Sequence, residues 1–123
     1  MAAVTKVTYK GKEIVYIDYT QCASSEEMIE AINEAKELVK KENKDYLQLS
    51  NISGATITPD FLIAAKNAAK YNPKLAKKRA IVGLDKPAQK LFLKVYNTAL
   101  GSLNELKSFD SIEEAKEWLV DEN

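Results

Sequence analysis

Hydrophobic and polar positions change period several times along the chain, and each change marks an element. From Val4 to Tyr9 and again from Ile14 to Tyr19, β-branched and aromatic residues alternate with polar ones, the period of a half-buried strand. Lys10-Gly11-Lys12 separates them, so the two runs predict a hairpin with glycine in its turn. Helical spacing follows: Met28, Ala31, Ile32, Ala35, Leu38 and Val39 fall on one face. Ser24 with Glu27 three residues later forms a capping-box pair at the start, and Lys40-Lys41 meets the negative end of the helix dipole.

Tyr46-Leu47-Gln48-Leu49 then predicts a short strand, and Ser50 to Thr56 a polar loop. Thr58-Pro59-Asp60 starts a second helix, with a hydroxyl at the cap, proline in the first turn and an acid beside it. Phe61, Leu62, Ala65, Ala68 and Ala69 supply its apolar side until Asn72-Pro73 ends it. The nearly all-apolar run Ala80-Ile81-Val82-Gly83-Leu84 predicts a central strand covered on both faces. Asp85 and Pro87 open a third helix with the stripe Ala88, Leu91, Phe92, Val95, Tyr96, Ala99 and Leu100, closed by Gly101. Leu106 to Phe109 is a last short strand, and Asp110-Ser111 leads into a helix that packs Ile112, Ala115, Trp118 and Leu119. The order β-β-α-β-α-β-α-β-α predicts one α/β domain over residues 1–123. Right-handed crossovers give it a mixed, mostly parallel sheet packed with four helices, with the hairpin as the antiparallel pair.

Composition narrows the chemistry. The chain contains no histidine, which removes the commonest general base, the commonest metal ligand and every Ser-His or Cys-His pair. Carboxylates are plentiful, but Glu26, Glu30, Glu34 and Glu37 share the outer face of the first helix, and Glu113, Glu114 and Glu117 that of the last. No acidic pair converges on a pocket, and Gly54 alone makes no phosphate-cradling loop. The expectation is a non-enzymatic protein with no catalytic residue, metal or cofactor. One cysteine, Cys22, excludes an internal disulfide, and no apolar run approaches the roughly 18 residues of a membrane span. A cytoplasmic location is the expectation. Cys22 reads as a half-buried small hydrophobe, and Tyr9, Tyr16 and Tyr19 as strand residues with one end wet.

Eighteen basic and 18 acidic residues cancel, yet they are segregated. From Lys66 to Lys94 nine bases stand against one acid, Asp85, whereas the segments 18–45 and 105–123 are acidic. Lys66 and Lys70 share a face of the second helix; Lys86, Lys90 and Lys94 line the third. Such faces suit an anionic partner or membrane headgroup, and equally a solvated surface. Aromatic residues are not interleaved with the bases, which argues against nucleic acid.

The joint before the second helix holds Ser50, Asn51, Ser53, Gly54, Thr56, Thr58 and Asp60 between a strand end and a helix N-terminus. α/β proteins place ligands at such crevices, and the same residue types also serve to cap helices and close tight loops.

The order of elements, with the stretches Tyr9 to Tyr19, Ser50 to Pro59, Arg79 to Gly83 and Phe109 to Leu119, resembles the STAS superfamily, in particular the stand-alone SpoIIAA-like proteins related to the CRAL-TRIO lipid-binding fold. That resemblance implies a regulatory module that binds another protein, as anti-sigma factor antagonists do, with a phosphoacceptor at the joint. Thr58 falls at that position, within Ile57-Thr58-Pro59-Asp60 where the family carries Asp-Ser-Ser-Gly. The CRAL-TRIO relationship implies the alternative of a carrier for a small apolar or phospholipid ligand.

Overall fold

In the computed structural model, which describes residues 3–71, 73–101 and 106–122, the elements follow the predicted order. They are β1 (Val4–Tyr9), β2 (Lys12–Asp18), α1 (Ser25–Glu42), β3 (Tyr46–Asn51), α2 (Pro59–Ala69), β4 (Ala76–Val82), α3 (Pro87–Leu100), β5 (Leu106–Phe109) and α4 (Ile112–Val120). Asn72, Glu105, Asn123 and the side chain of Leu100 lie outside the described residues.

The hairpin turn places Lys10 and Gly11 at φ 50° and 81°, the twin positive angles of a tight turn that matches strand twist. The sheet runs β1-β2-β3-β4-β5, with β1 antiparallel to β2 and the other pairs parallel. Each crossover steps to the next strand in one direction, so right-handedness sends α1, α2 and α3 to the same face. There α2 packs between α1 and α3. α4 lies on the opposite face, against β3 and β4.

Two cores result. Under the three helices an aromatic ladder joins the layers: the Tyr19 ring meets Phe61 edge-on at 5.2 Å, Phe61 stacks on Phe92 at 5.6 Å, and Phe92 lies 5.7 Å from Tyr96. On the other face Ile14, Leu49, Ala80 and Val82 meet Ala115, Leu119 and Val120 of α4. The Ser111 hydroxyl caps α4 by accepting from the Glu114 amide at 3.2 Å. Its last carbonyls, Trp118 O and Val120 O, accept from Lys78 Nζ (2.7 Å) and Lys12 Nζ (3.2 Å), so cations hold the negative end of the dipole.

Several boundaries depart from the sequence reading. Tyr19 belongs to a 3₁₀ turn, Tyr19–Gln21, and is buried, with neither end wet. β3 continues through Ser50 and Asn51, and α2 ends at Ala69. β4 begins four residues early, at Ala76, because backbone pairing with β3 holds its charged first half in extended form. On α3 the inward positions are Gln89, Phe92 and Tyr96; Ala88 is exposed and Leu91 is 59% exposed. Hydrogen bonds made by Gln89 fix that rotation of the helix.

Phe61 is fully buried at the centre of the ladder. Phe61→Ala is expected to cost about 3–5 kcal/mol, read as a lowered urea midpoint at unchanged slope.

Candidate functional site

Parallel pairing brings the ends of β2, β3 and β4 and the starts of α1, α2 and α3 to one end of the molecule, where the predicted joint lies. The structure divides the joint residues. Ser50 is buried and faces the helix layer, where its hydroxyl accepts from Gln48 Nε2 at 3.4 Å. Asn51 forms a small turn: its Oδ1 accepts from the Ser53 amide at 3.1 Å, and its Nδ2 donates to the Tyr16 hydroxyl at 3.3 Å. Ser53, Gly54, Thr56 and Asp60 are exposed. Thr58 caps α2 by accepting from the Phe61 amide at 3.2 Å, and its Oγ1 lies 2.6 Å from Ser25 Oγ in the first turn of α1. One hydroxyl pair therefore ties two helix N-termini together.

Gln89, which the sequence reading passed over, and Gly83, which it placed in the central strand and which lies just past the end of β4, hold this joint in place. Gln89 is fully buried. Its Oε1 accepts from the amides of Asp85 (2.9 Å) and Lys86 (3.0 Å), and its Nε2 donates to the carbonyls of Ile52 (3.2 Å) and Ala55 (3.0 Å). Lys86, which occupies the cap position of α3, has no acceptor to offer, so Gln89 caps the helix from within. Gly83 completes the seam. Its φ is +95°, and a Cβ there would lie 2.4 Å from the backbone nitrogen of Ser53. Only glycine permits that approach. A glutamine three residues into a helix that begins with proline is a visible capping signal; its reach to another loop is not.

The basic residues do not converge on the joint. Lys86 stands beside it, but α2 carries its start at Thr58 about 18 Å from Lys70, and Lys94 lies about 12 Å along α3 from Lys86. Lys90 and Lys94 border a shallow depression with Leu93, Asn97 and Thr98; Lys66 and Lys70 are on the neighbouring helix. The set is a pair of stripes along the helices. Cys22 is half-buried, and burial together with Glu27, Asp18 and Glu30 pushes its thiol up. It is a poor nucleophile there. Among the described residues no group of three or more cysteine, aspartate or glutamate side chains could hold a metal ion, and no helix is long and apolar enough to cross a membrane.

A cavity of about 50 Å³ lies between the sheet and the three helices. Pairing in register sets Val15, Gln48, Arg79 and Leu106 side by side across β2, β3, β4 and β5, and all four line it. Ile17, Ser50 and Ile81 form the next row. Arg79 is 1% exposed, and its Nη2 reaches the Pro73 carbonyl at 3.4 Å. Burial pushes the Tyr46 phenol up while the neighbouring Arg79 draws it down. Tyr96 reaches about 12: burial raises it and the Tyr46 hydroxyl adds to this, while Arg79 and a hydrogen bond from Gln48 oppose. Both phenols are therefore protonated donors at neutral pH. Tyr19 is driven well above its ordinary value, first by burial. The signal for Arg79 was its even spacing from Ile81, which puts both on one side of a strand once that strand is extended backward.

Gln89→Leu and Gly83→Ala are each expected to lower stability by about 2–4 kcal/mol in urea unfolding, the first by orphaning buried amides and carbonyls, the second through strain and clash. Alkaline titration should separate the buried phenols. Tyr96 and Tyr19, raised in the fold above the ordinary value of 10, stabilise it fully below pH 10. The Tyr96 contribution falls as pH rises from about 10 toward 12, and that of Tyr19 falls on the same alkaline side. Absorbance at pH ~11 should show all six tyrosines ionised only in the urea-unfolded chain.

Compared with protein-family models, with curated proteins and with solved structures, the chain matches none.

Proposed function

We propose that the chain is a non-enzymatic, cytoplasmic regulatory module of the STAS-like type that binds another protein through the joint between β3 and α2. The observation that carries this reading is the way the joint is held. Gln89 donates two hydrogen bonds to the 52–55 loop and accepts two from the start of α3, and with the close approach of Gly83 these fix the loop from beneath, while Ser53, Gly54, Thr56 and Asp60 stay exposed above. A surface loop that is already ordered loses little entropy on docking, which favours recognition by a partner. Thr58 supplies a switch position. A phosphate there would break the hydroxyl pair with Ser25 and would meet both the positive ends of two helices and the carboxylate of Asp60. Lys86 beside the joint would assist an acidic partner. The cavity favours a second reading as a small-ligand carrier, with a cargo much smaller than a phospholipid, since pockets for drug-sized ligands run to roughly 300 Å³ or more.

A pull-down from the source cell tests the first reading. Wild type and Lys90→Ala/Lys94→Ala are expected to retain the same partner, whereas Thr58→Glu and the loop variant Thr56→Arg/Asp60→Arg should recover at least tenfold less while keeping the native circular dichroism spectrum. Equal recovery by all four proteins contradicts it.

A further inference from the structure

The three helices that share one side of the sheet carry opposite charges on their outer faces. On α1 the buried residues are Met28, Ala31, Ile32, Ala35 and Val39, which turns Glu26, Glu30 and Glu37 to the exposed crest. On α3 the buried Gln89, Phe92 and Tyr96 leave Lys90 and Lys94 exposed, with Lys86 at the cap. Between them, α2 buries Phe61, Ala65 and Ala69 and presents Ile63 on its outer side, 56% exposed. Lys66 and Lys70 follow Ile63 at helical spacing. Among the described residues the exposed large apolar side chains are Ile63 and Leu91, and both belong to this layer. Charges of the other sign sit at helix ends: Asp60 and Asp85 at the starts of α2 and α3, Lys40 and Lys41 at the end of α1. No ion pair among the described residues uses any of the crest acids or stripe lysines, although lysines elsewhere are paired.

An acidic edge, an apolar centre and a basic edge make a face that complements itself. We propose that this face docks a second copy of the chain, related by a twofold axis that lies in the contact plane and runs along α2. That operator sets α2 against its own copy, with Ile63 meeting Ile63 of the second copy, and sets each α1 against the α3 of the other chain. The three helices each return from one parallel strand to the next, so they run in one direction, which the axis preserves. Glu26, Glu30 and Glu37 then lie alongside Lys86, Lys90 and Lys94 in the same order, on both sides of the axis. A twofold axis across the helices would instead stack acids on acids and lysines on lysines, so charge selects the first arrangement. Three helices about 10 Å apart, sharing a length of about 16 Å, offer roughly 500 Å² per copy, the low end for a specific interface. The dimer is therefore weak, and its exposed ion pairs make it sensitive to salt. The 52–55 loop stands at one end of this layer, so pairing of copies and binding at the joint can fail independently.

Sedimentation velocity of the full chain, from micromolar to millimolar concentration, tests the pairing. In about 20 mM salt the average mass should rise with concentration from that of one chain toward two, and about 0.5 M salt should weaken the association at least tenfold. Ile63→Asp should stay monomeric throughout while keeping the native circular dichroism spectrum and melting temperature. Lys90→Glu/Lys94→Glu and Glu30→Lys/Glu37→Lys should each be monomeric alone, since each sets like charges together. Mixed in equal amounts, those two variants should pair at least as tightly as wild type, a recovery that misfolded chains could not give. The proposal is overturned if wild type remains monomeric at millimolar concentration in low salt, if Ile63→Asp pairs undiminished, or if the two reversed variants do not pair on mixing. Monomers that sediment instead with phosphatidylserine vesicles would assign the face to a lipid surface and equally overturn it.

Discussion

The parallel pairing of β3 with β4 is the constraint on which the rest of the molecule depends. It sets Gln48 opposite Arg79 and Ser50 opposite Ile81, and so turns a guanidinium toward the helix layer. The register is not uniform. Tyr46 pairs with Ala76 but Leu47 with Lys78, which leaves Lys77 as an extra residue that bends the strand. Without that bulge the alternation counted from Ala76 would send Arg79 to the α4 face. Lys78 serves that face instead, holding the last carbonyls of α4. A buried cation costs several kcal/mol unless polar groups surround it, and the Pro73 carbonyl and the Tyr46 phenol are such groups.

β3 links the two candidate sites. Its first half, Tyr46 and Gln48, lines the cavity, whereas its end at Asn51 runs into the joint. Ser50 lies between them, buried beneath the loop. At the joint end the backbone is fixed by interlocking loops: the Ile52 amide donates to the Val82 carbonyl at 3.0 Å, and Gln89 spans from that loop to the start of α3. Rigidity at the joint and space under the helices thus arise from the same strand and the same third helix, which supplies Gln89, Phe92 and Tyr96 on one face.

How much of this was legible depends on what decided each feature. Local patterns placed every strand and helix, because alternation, caps and prolines act over a few residues; Ser24, Thr58 and Ser111 cap their helices as their types imply. What escaped was decided at a distance. Arg79 looked like part of a surface charge run with Lys77 and Lys78, and only pairing with β3 turned it inward. Gln89 stood outside every sequence pattern, and its burial depends on carbonyls contributed more than 30 residues earlier in the chain. Leu91 looked buried by its spacing and is exposed, since Gln89 fixed the helix rotation instead. In the joint, Thr58 and Asn51 could be read as functional or as capping residues; the structure shows the capping and turn bonds directly, and Ser53, Gly54, Thr56 and Asp60 stay exposed around them.

The placement of Arg79 can be measured without any ligand. Side-chain ¹H–¹⁵N spectra of the native chain should show guanidinium protons of Arg79 that exchange slowly with water and give nuclear Overhauser contacts to the rings of Tyr46 and Tyr96. Fast exchange with no contact to either ring would place the side chain in solvent and contradict the account.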